Sequence, residues 1–308
     1  MVEKLDQLTS PSSTLKVYDY ARLGTDDDHP AYQILYPKYT STPLVFSSPH
    51  SGNRYPESFL DKSKLDPLTL RRSEDSFVDE LFAKAPLLGA PLLKANFPRA
   101  YVDPNREAFE LDPTMFEDCL PEYVNTKSLK VWAGLGTVAR VVTNGEEIYR
   151  NKLKFTEVKS RVENTYIPYH QALKRLIKIT KEMFGLCILI DCHSMPSLGG
   201  PMDNDRGNRR VDIVLGNNHG TTCASQLISL VGNNLRDQGM MVRNNNPYSG
   251  GFTTCHYGAP NDGIHTLQIE INKSLYMDEK TIRKNQGFEP MLNRITRLIS
   301  ELSDFELL

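Results

Sequence analysis

The stretch LCILIDCHSMPS, residues 186–197, decides how this chain folds. Directly after Gly185, residues 186–190 form a short apolar run with β-branched isoleucines, the pattern of a strand buried in an α/β sheet. The run passes straight into Asp191, Cys192, His193 and Ser194. Polar groups just past the carboxyl end of a buried strand lie where open α/β sheets place their ligand sites. Residues 43–48, followed by Pro49, His50, Ser51 and Gly52, repeat the form. Two strands that each end in a His-Ser pair can present two imidazoles to one metal. A third strand, read over residues 267–271, carries an acid at Glu270.

Outward from these strands the chain alternates strand and helix. Tyr32–Tyr36 reads as an edge strand and Leu44–Ser48 as the first core strand. Asp66-Pro67 opens a helix expected to reach Gly89, with an N-cap and a proline in its first turn. In that helix Asp75 and Asp79, four apart, share one face. Strand-like residues 92–97 lead to a loop, 99–106, dense in anion-binding groups. Residues 107–145 read as an excursion over the active-site face, and 146–184 as one long helix or a bent pair broken at Pro168. Residues 197–210 read as a mobile loop, 211–215 as a buried strand, 221–235 as a helix and 290–302 as a closing amphipathic helix. The pattern implies a mixed, mainly parallel sheet with helices on both faces. Residues 1–30 read as a polar leader and 31–308 as a single α/β domain.

Composition narrows the function classes. The chain has 308 residues, 39% hydrophobic and 24% charged, with a net charge of −2; these values suit a soluble enzyme-sized domain. No basic tract argues for nucleic acid. No apolar run approaches the roughly 20 residues of a membrane span, and the first ten residues lack a signal peptide's apolar core. The five cysteines have no CxxC spacing and leave an odd one out, which favours a reducing, cytoplasmic setting.

The candidate chemistry rests on residue type and placement. Catalytic zinc takes three protein ligands, usually His with a carboxylate, and keeps a fourth position open. His50 and His193 supply nitrogen donors, and Asp75 or its neighbours Glu74 and Asp79 a carboxylate. Manganese, iron or cobalt suits the same donors. Glu270 stands in a strand otherwise made for burial, on the face of Gln268 and opposite Ile269. A carboxylate there is costly unless paired, bonded or functional. Its functional reading is a general base that takes a proton from a metal-bound water and passes it to a leaving amine; its structural reading is a strand-end salt bridge. Arg99 and Arg106 flank a turn holding Asp103 and Asn105, and offer a fork for a carboxylate or a positive group for an oxyanion. Asp191 reads as a support for His193 rather than a ligand. Ser51 and Ser194 lie in no G-x-S-x-G elbow, so a nucleophilic serine is a poor reading.

Seven stretches in register resemble one family: PHSGNRYP, EDSFVDELF, FPRAYVDPNRE, LIDCHS, DIVLGNNHGTTCA, NPYSGGFTTCHYG and HTLQIEINKSLYMDE. They are similar to N-formylglutamate amidohydrolases (N-formylglutamate deformylases), enzymes of histidine degradation, over roughly residues 40 to 285. The resemblance implies a zinc-exopeptidase-like, phosphorylase/hydrolase-like α/β fold. It implies one divalent metal, zinc, and hydrolysis of N-formyl-L-glutamate to formate and glutamate. Carried over, it makes His50, Asp75 and His193 the metal ligands, Glu270 the general base, and Asn105 and Arg106 the pair that holds the substrate carboxylate. The stretch departs from the family at Cys255 and Ala259, where cations are expected near the pocket; the substrate's carboxylates need positive partners. The alternatives are an amidohydrolase or carboxypeptidase-like enzyme on another N-acyl amino acid or peptide, and a non-catalytic binding protein that kept the fold.

Overall fold

The computed structural model describes residues 16–18, 22–24, 27–201, 203 and 205–305. Its sheet contains eight strands: β1 (Lys16–Tyr18), β2 (Tyr32–Tyr36), β3 (Leu44–Ser48), β4 (Leu92–Ala95), β5 (Cys187–Met195), β6 (Ile213–Gly216), β7 (Val242–Asn244) and β8 (Ile264–Asn272). Their spatial order is β1-β2-β4-β3-β5-β8-β6-β7. The central four, β4, β3, β5 and β8, run parallel. Strand β2 joins β4 antiparallel and β6 joins β8 antiparallel. The mixed, mainly parallel sheet read from the sequence is therefore present. Tyr32–Tyr36 is not its edge, because Lys16–Tyr18 pairs outside it. Much of the leader expected over residues 1–30 (1–15, 19–21 and 25–26) lies outside the described residues.

Period-two alternation splits β5 between two cores. Cys187 and Leu189 face one apolar cluster, with Tyr169, Leu173 and Ile177 of helix α2. Ile188, Ile190 and Cys192 face the other, with Leu227 and Val231 of α3 and Ile295 and Leu298 of α5. On the first face the apolar positions stop at Leu189; Asp191 and His193 follow, fully buried. The helices include α1 (Val78–Leu81), α2 (Ile167–Phe184), α3 (Ser225–Asp237), α4 (Phe252–Tyr257) and α5 (Phe288–Ser303). Each large apolar side chain shut between sheet and helix contributes about 1.5–3 kcal/mol. Gly185, at φ 79°, ends α2 in the left-handed region and turns the chain into β5. Among the described residues no helix is long and apolar enough to cross a membrane.

Two helices differ from their reading. The segment from Asp66 to Gly89 is three short pieces, Pro67–Arg71, Val78–Leu81 and the 3-10 turn Ala85–Leu88. Its start is as expected, Asp66 accepting from the amides of Leu68 and Thr69. The break comes at residues 72–77, where Phe77 takes a left-handed φ of 70°, costly for a bulky side chain. Asp75 consequently sits on a turn, not on a shared helical face with Asp79. The helix read from 146 begins at Phe155 and passes through a π-helical segment, Val162–Tyr166, just before Pro168.

Candidate metal centre and substrate pocket

Parallel pairing of β5 with β8 sets Gln268 beside Asp191 and Glu270 beside His193. His50 stands two residues past the end of β3, on the other side of β5. Three strand ends thus deliver His50, His193 and Glu270 to one place. The turn bearing Asp75 is fastened there through its main chain, the Asp75 amide donating to the His50 carbonyl at 3.0 Å and the Ser51 side-chain hydroxyl donating to the Asp75 carbonyl at 3.2 Å. The strained Phe77 follows this turn.

His50, Asp75 and His193 are 1–2% exposed, and a ligand atom from each lies within 4.8 Å of the others. Asp75 Oδ2 is 3.3 Å from His50 Nδ1 and 3.1 Å from His193 Nδ1. Donors about 2.0–2.1 Å from a tetrahedral zinc stand roughly 3.3 Å apart, so both Asp75-to-histidine distances fit. His50 Nδ1, though buried, has no hydrogen-bond partner among the described residues. On the far side of that ring, Nε2 meets Asp103 Oδ1 at 2.7 Å. His193 Nε2 has Asp191 Oδ1 at 3.0 Å, a close contact rather than an aligned bond, and Asn105 Nδ2 at 3.2 Å. A carboxylate behind each imidazole orients a metal ligand and raises its basicity. Glu74 and Asp79 are occupied elsewhere, Glu74 with Tyr55, Arg71 and Ser76, and Asp79 with Lys94.

The electrostatics follow from burial and crowding. Burial opposes charge on Asp75, but the bond from His193 and the close His50 ring outweigh it and hold the carboxyl well below its ordinary range. Burial likewise opposes the His193 imidazolium, yet Asp191 and Asp75 push that pKa well up. Glu270 goes the other way: burial, reinforced by Asp75 and Asp191, pushes its carboxyl up to about 7 against the pull of His193 and Arg99. Gln268 Nε2 donates to Glu270 Oε1 at 2.9 Å and fixes the carboxyl in place.

These groups line a cavity of about 370 Å³, with Arg99, Asn105, Arg106, Lys130 and Lys273 around it. Arg99 Nη2 donates to Asp103 Oδ2 at 2.7 Å, so this cation chiefly supports the carboxylate behind His50. Arg106 is tethered through Nε to the Leu135 carbonyl and through Nη1 to the Asn105 carbonyl. Lys130, from the expected excursion 107–145, makes no side-chain hydrogen bond or ion pair among the described residues. Arg106 beside it, then burial, lower its pKa. Cys255 and Ala259 do not line the cavity, so the departure expected to remove cations from the pocket lies elsewhere. Sequence reading missed Lys130 and Lys273. Lys273 had a signal, being a lysine three residues past Glu270 in the same motif; it is buried, bonded to the Glu74 carbonyl and 3.8 Å from Asp75 Oδ1. Lys130 stands in a stretch with no period, and only the fold brings it to the pocket.

Residues 42–277 match the family model described as N-formylglutamate amidohydrolase. Over 240 residues the chain is 29% identical to an N-formylglutamate deformylase of Pseudomonas putida, spanning 77% of this chain and 82% of that protein. Over 251 residues it is 27% identical to an N-formylglutamate deformylase of Pseudomonas aeruginosa, spanning 80% and 87%. The crystal structure of an N-formylglutamate amidohydrolase from Ralstonia eutropha JMP134 superposes with a TM-score of 0.81 at 34% identity, over 89% of this chain and 97% of that one.

Proposed function

The chain belongs to the N-formylglutamate amidohydrolase family, and from that premise we propose that it hydrolyses N-formyl-L-glutamate to formate and glutamate. Residues 31–308 form the amidohydrolase domain in this reading. The observation that carries it is the convergence of His50 Nδ1 and His193 Nδ1 on Asp75 Oδ2, at 3.3 and 3.1 Å, beside Glu270. Two imidazoles and a carboxylate favour zinc. When bound, the divalent ion supplies Lewis-acid polarisation of the formyl carbonyl and lowers the pKa of water.

The chain's own residues do the rest. Glu270 takes a proton from the attacking water as its oxygen bonds to the formyl carbon. It returns that proton to the amide nitrogen as the C–N bond breaks. Burial strengthens the carboxylate's hold on a proton, which favours its uptake from the water. Asn105 and Arg106 hold the α-carboxylate, with the tethered guanidinium fixed in orientation before substrate arrives. Lys130, without a hydrogen-bond or ion-pair partner among the described residues, meets the side-chain carboxylate. Free thiols at Cys119, Cys187, Cys192, Cys223 and Cys255 suit a cytoplasmic enzyme.

Elemental analysis of purified wild type and His193→Ala, with a formate-release assay on N-formylglutamate, tests the reading. The expected outcome is about one equivalent of metal and turnover in wild type, and little of either in the variant. Wild type that neither binds added zinc nor releases formate would exclude it.

A further inference from the structure

Two stretches picked out in the sequence, the DPNR turn and the HYG segment, meet at a residue that belongs to neither. His170 lies in the first turn of α2, partly buried, with its ring packed among Tyr166, Tyr169, Phe252 and Tyr257. Its Nε2 is 2.8 Å from the Pro104 carbonyl, and its Nδ1 is 2.8 Å from the Tyr257 hydroxyl. A carbonyl only accepts, so Nε2 carries the hydrogen, Nδ1 accepts, and Tyr257 donates. Burial lowers the His170 pKa to about 4 and keeps the ring neutral in that tautomer. The result is one directed chain from Tyr257 O–H through His170 to Pro104.

The same helix end holds the turn a second time. Tyr166, four residues earlier, donates its hydroxyl to the Arg106 carbonyl at 2.8 Å. Its ring centroid is 4.2 Å from that of His170. Tyr166 closes the π-helical segment Val162–Tyr166, and such segments shift a helix's phase, commonly beside functional sites. From the opposite side, the Thr253 amide of α4 donates to Asn105 Oδ1 at 2.8 Å. A Cβ on Gly251 would stand 2.2 Å from Asn105 Nδ2, so α4 approaches the turn as closely as a glycine allows. The turn bearing Asn105 and Arg106 is thus gripped between α2 and α4, and His170 bonds to both sides.

The geometry points to His170 as a positioning residue for substrate carboxylate binding: it locks the 103–106 turn against Tyr257 of α4, and so fixes where Asn105 and Arg106 meet the substrate. This rests on the reading that those two residues hold the α-carboxylate. Among the described residues His170 makes no hydrogen bond to the metal ligands or to Glu270. The turn it holds also carries Asp103, which backs His50, and Asn105, which meets His193, so metal content is the readout that separates carboxylate positioning from support of the ligands.

His170→Phe keeps the aromatic packing and removes both bonds. Its KM for N-formylglutamate is expected to rise about tenfold, with kcat within about threefold of wild type and metal content unchanged, as for a binding group displaced by a fraction of an ångström. His170→Gln, whose amide can donate to Pro104 and accept from Tyr257, restores most of the KM. Tyr257→Phe moves KM in the same direction by less, and these two variants carry the test if His170→Phe does not fold. An unchanged KM, or a defect in kcat that follows metal loss, overturns the inference while leaving the proposed function intact. Wild type without formate release overturns both.

Discussion

The pocket has two walls of different construction. One is the sheet edge, where His193 and Glu270 are neighbours in register on β5 and β8, with His50 just beyond β3. The other is loop and one short helix: Arg99, Asn105 and Arg106 are placed by bonds to main-chain carbonyls, to Asp103 and to α4, and Lys130 stands on the helix Leu129–Trp132 with no such bond among the described residues. A parallel ladder fixes side chains at intervals that no single loop bond can alter. The loop wall is adjustable one contact at a time. The difference assigns chemistry to the first wall and substrate choice to the second, and measurements that separate kcat from KM can break that assignment.

The largest effect is expected on the sheet wall. Glu270→Gln keeps the shape and removes the base, so kcat should fall about a thousandfold, within the range general-base removal commonly costs. KM and metal content should stay near wild type. Near-normal turnover in a metal-loaded Glu270→Gln would remove Glu270 from the mechanism and place the chemistry elsewhere.

How much of each wall the sequence revealed follows from the same contrast. The sheet wall was legible because period-two alternation is local: an acid at 270 between Ile269 and Ile271 declares its face without any partner in view. His50 and His193 were legible as strand-end polar residues, but their meeting needed the strand order. Asp75 was chosen only by resemblance to a family, and the helix expected to carry it is broken at a left-handed Phe77 that no propensity foretells. The loop wall was harder. Asn105 and Arg106 stood out as a polar turn, but Lys130 and His170 carry no pattern. His170 reads as one more residue on an amphipathic helix until the π-helical segment and the Pro104 carbonyl are seen.

A smaller effect sharpens the sheet wall by pH. Burial raises the Glu270 carboxyl from its ordinary 4.5 to about 7. The folded state then holds this proton more tightly than the unfolded chain, so the contribution to stability is full at low pH and is lost as pH rises through about 7. Metal-free wild type should therefore lose stability relative to Glu270→Gln between about pH 4.5 and 7, by on the order of 3 kcal/mol. Subtracting one Tm-versus-pH curve from the other removes the groups far from Glu270 and leaves its titration together with its interaction with His193 and Asp75. A flat difference would mean that Glu270 is ionised in the folded protein across that range, as a salt-bridged strand-end residue would be.

The smallest effect belongs to the loop wall and tests the division itself. Lys130 lines the pocket on the exposed helix Leu129–Trp132 and has no hydrogen-bond or ion-pair partner of its own among the described residues. If it meets the side-chain carboxylate, Lys130→Met should raise KM for N-formylglutamate by about three- to tenfold and leave kcat unchanged. The same change should leave N-formylglutamine, which lacks that charge, almost unaffected, so the preference between the two falls toward unity. An equal loss on both substrates would mean that Lys130 shapes the pocket without reading the charge. A loss in kcat would be more damaging, since a lysine outside the sheet wall would then act on the reaction, and the separation of chemistry from selection between the two walls would not hold.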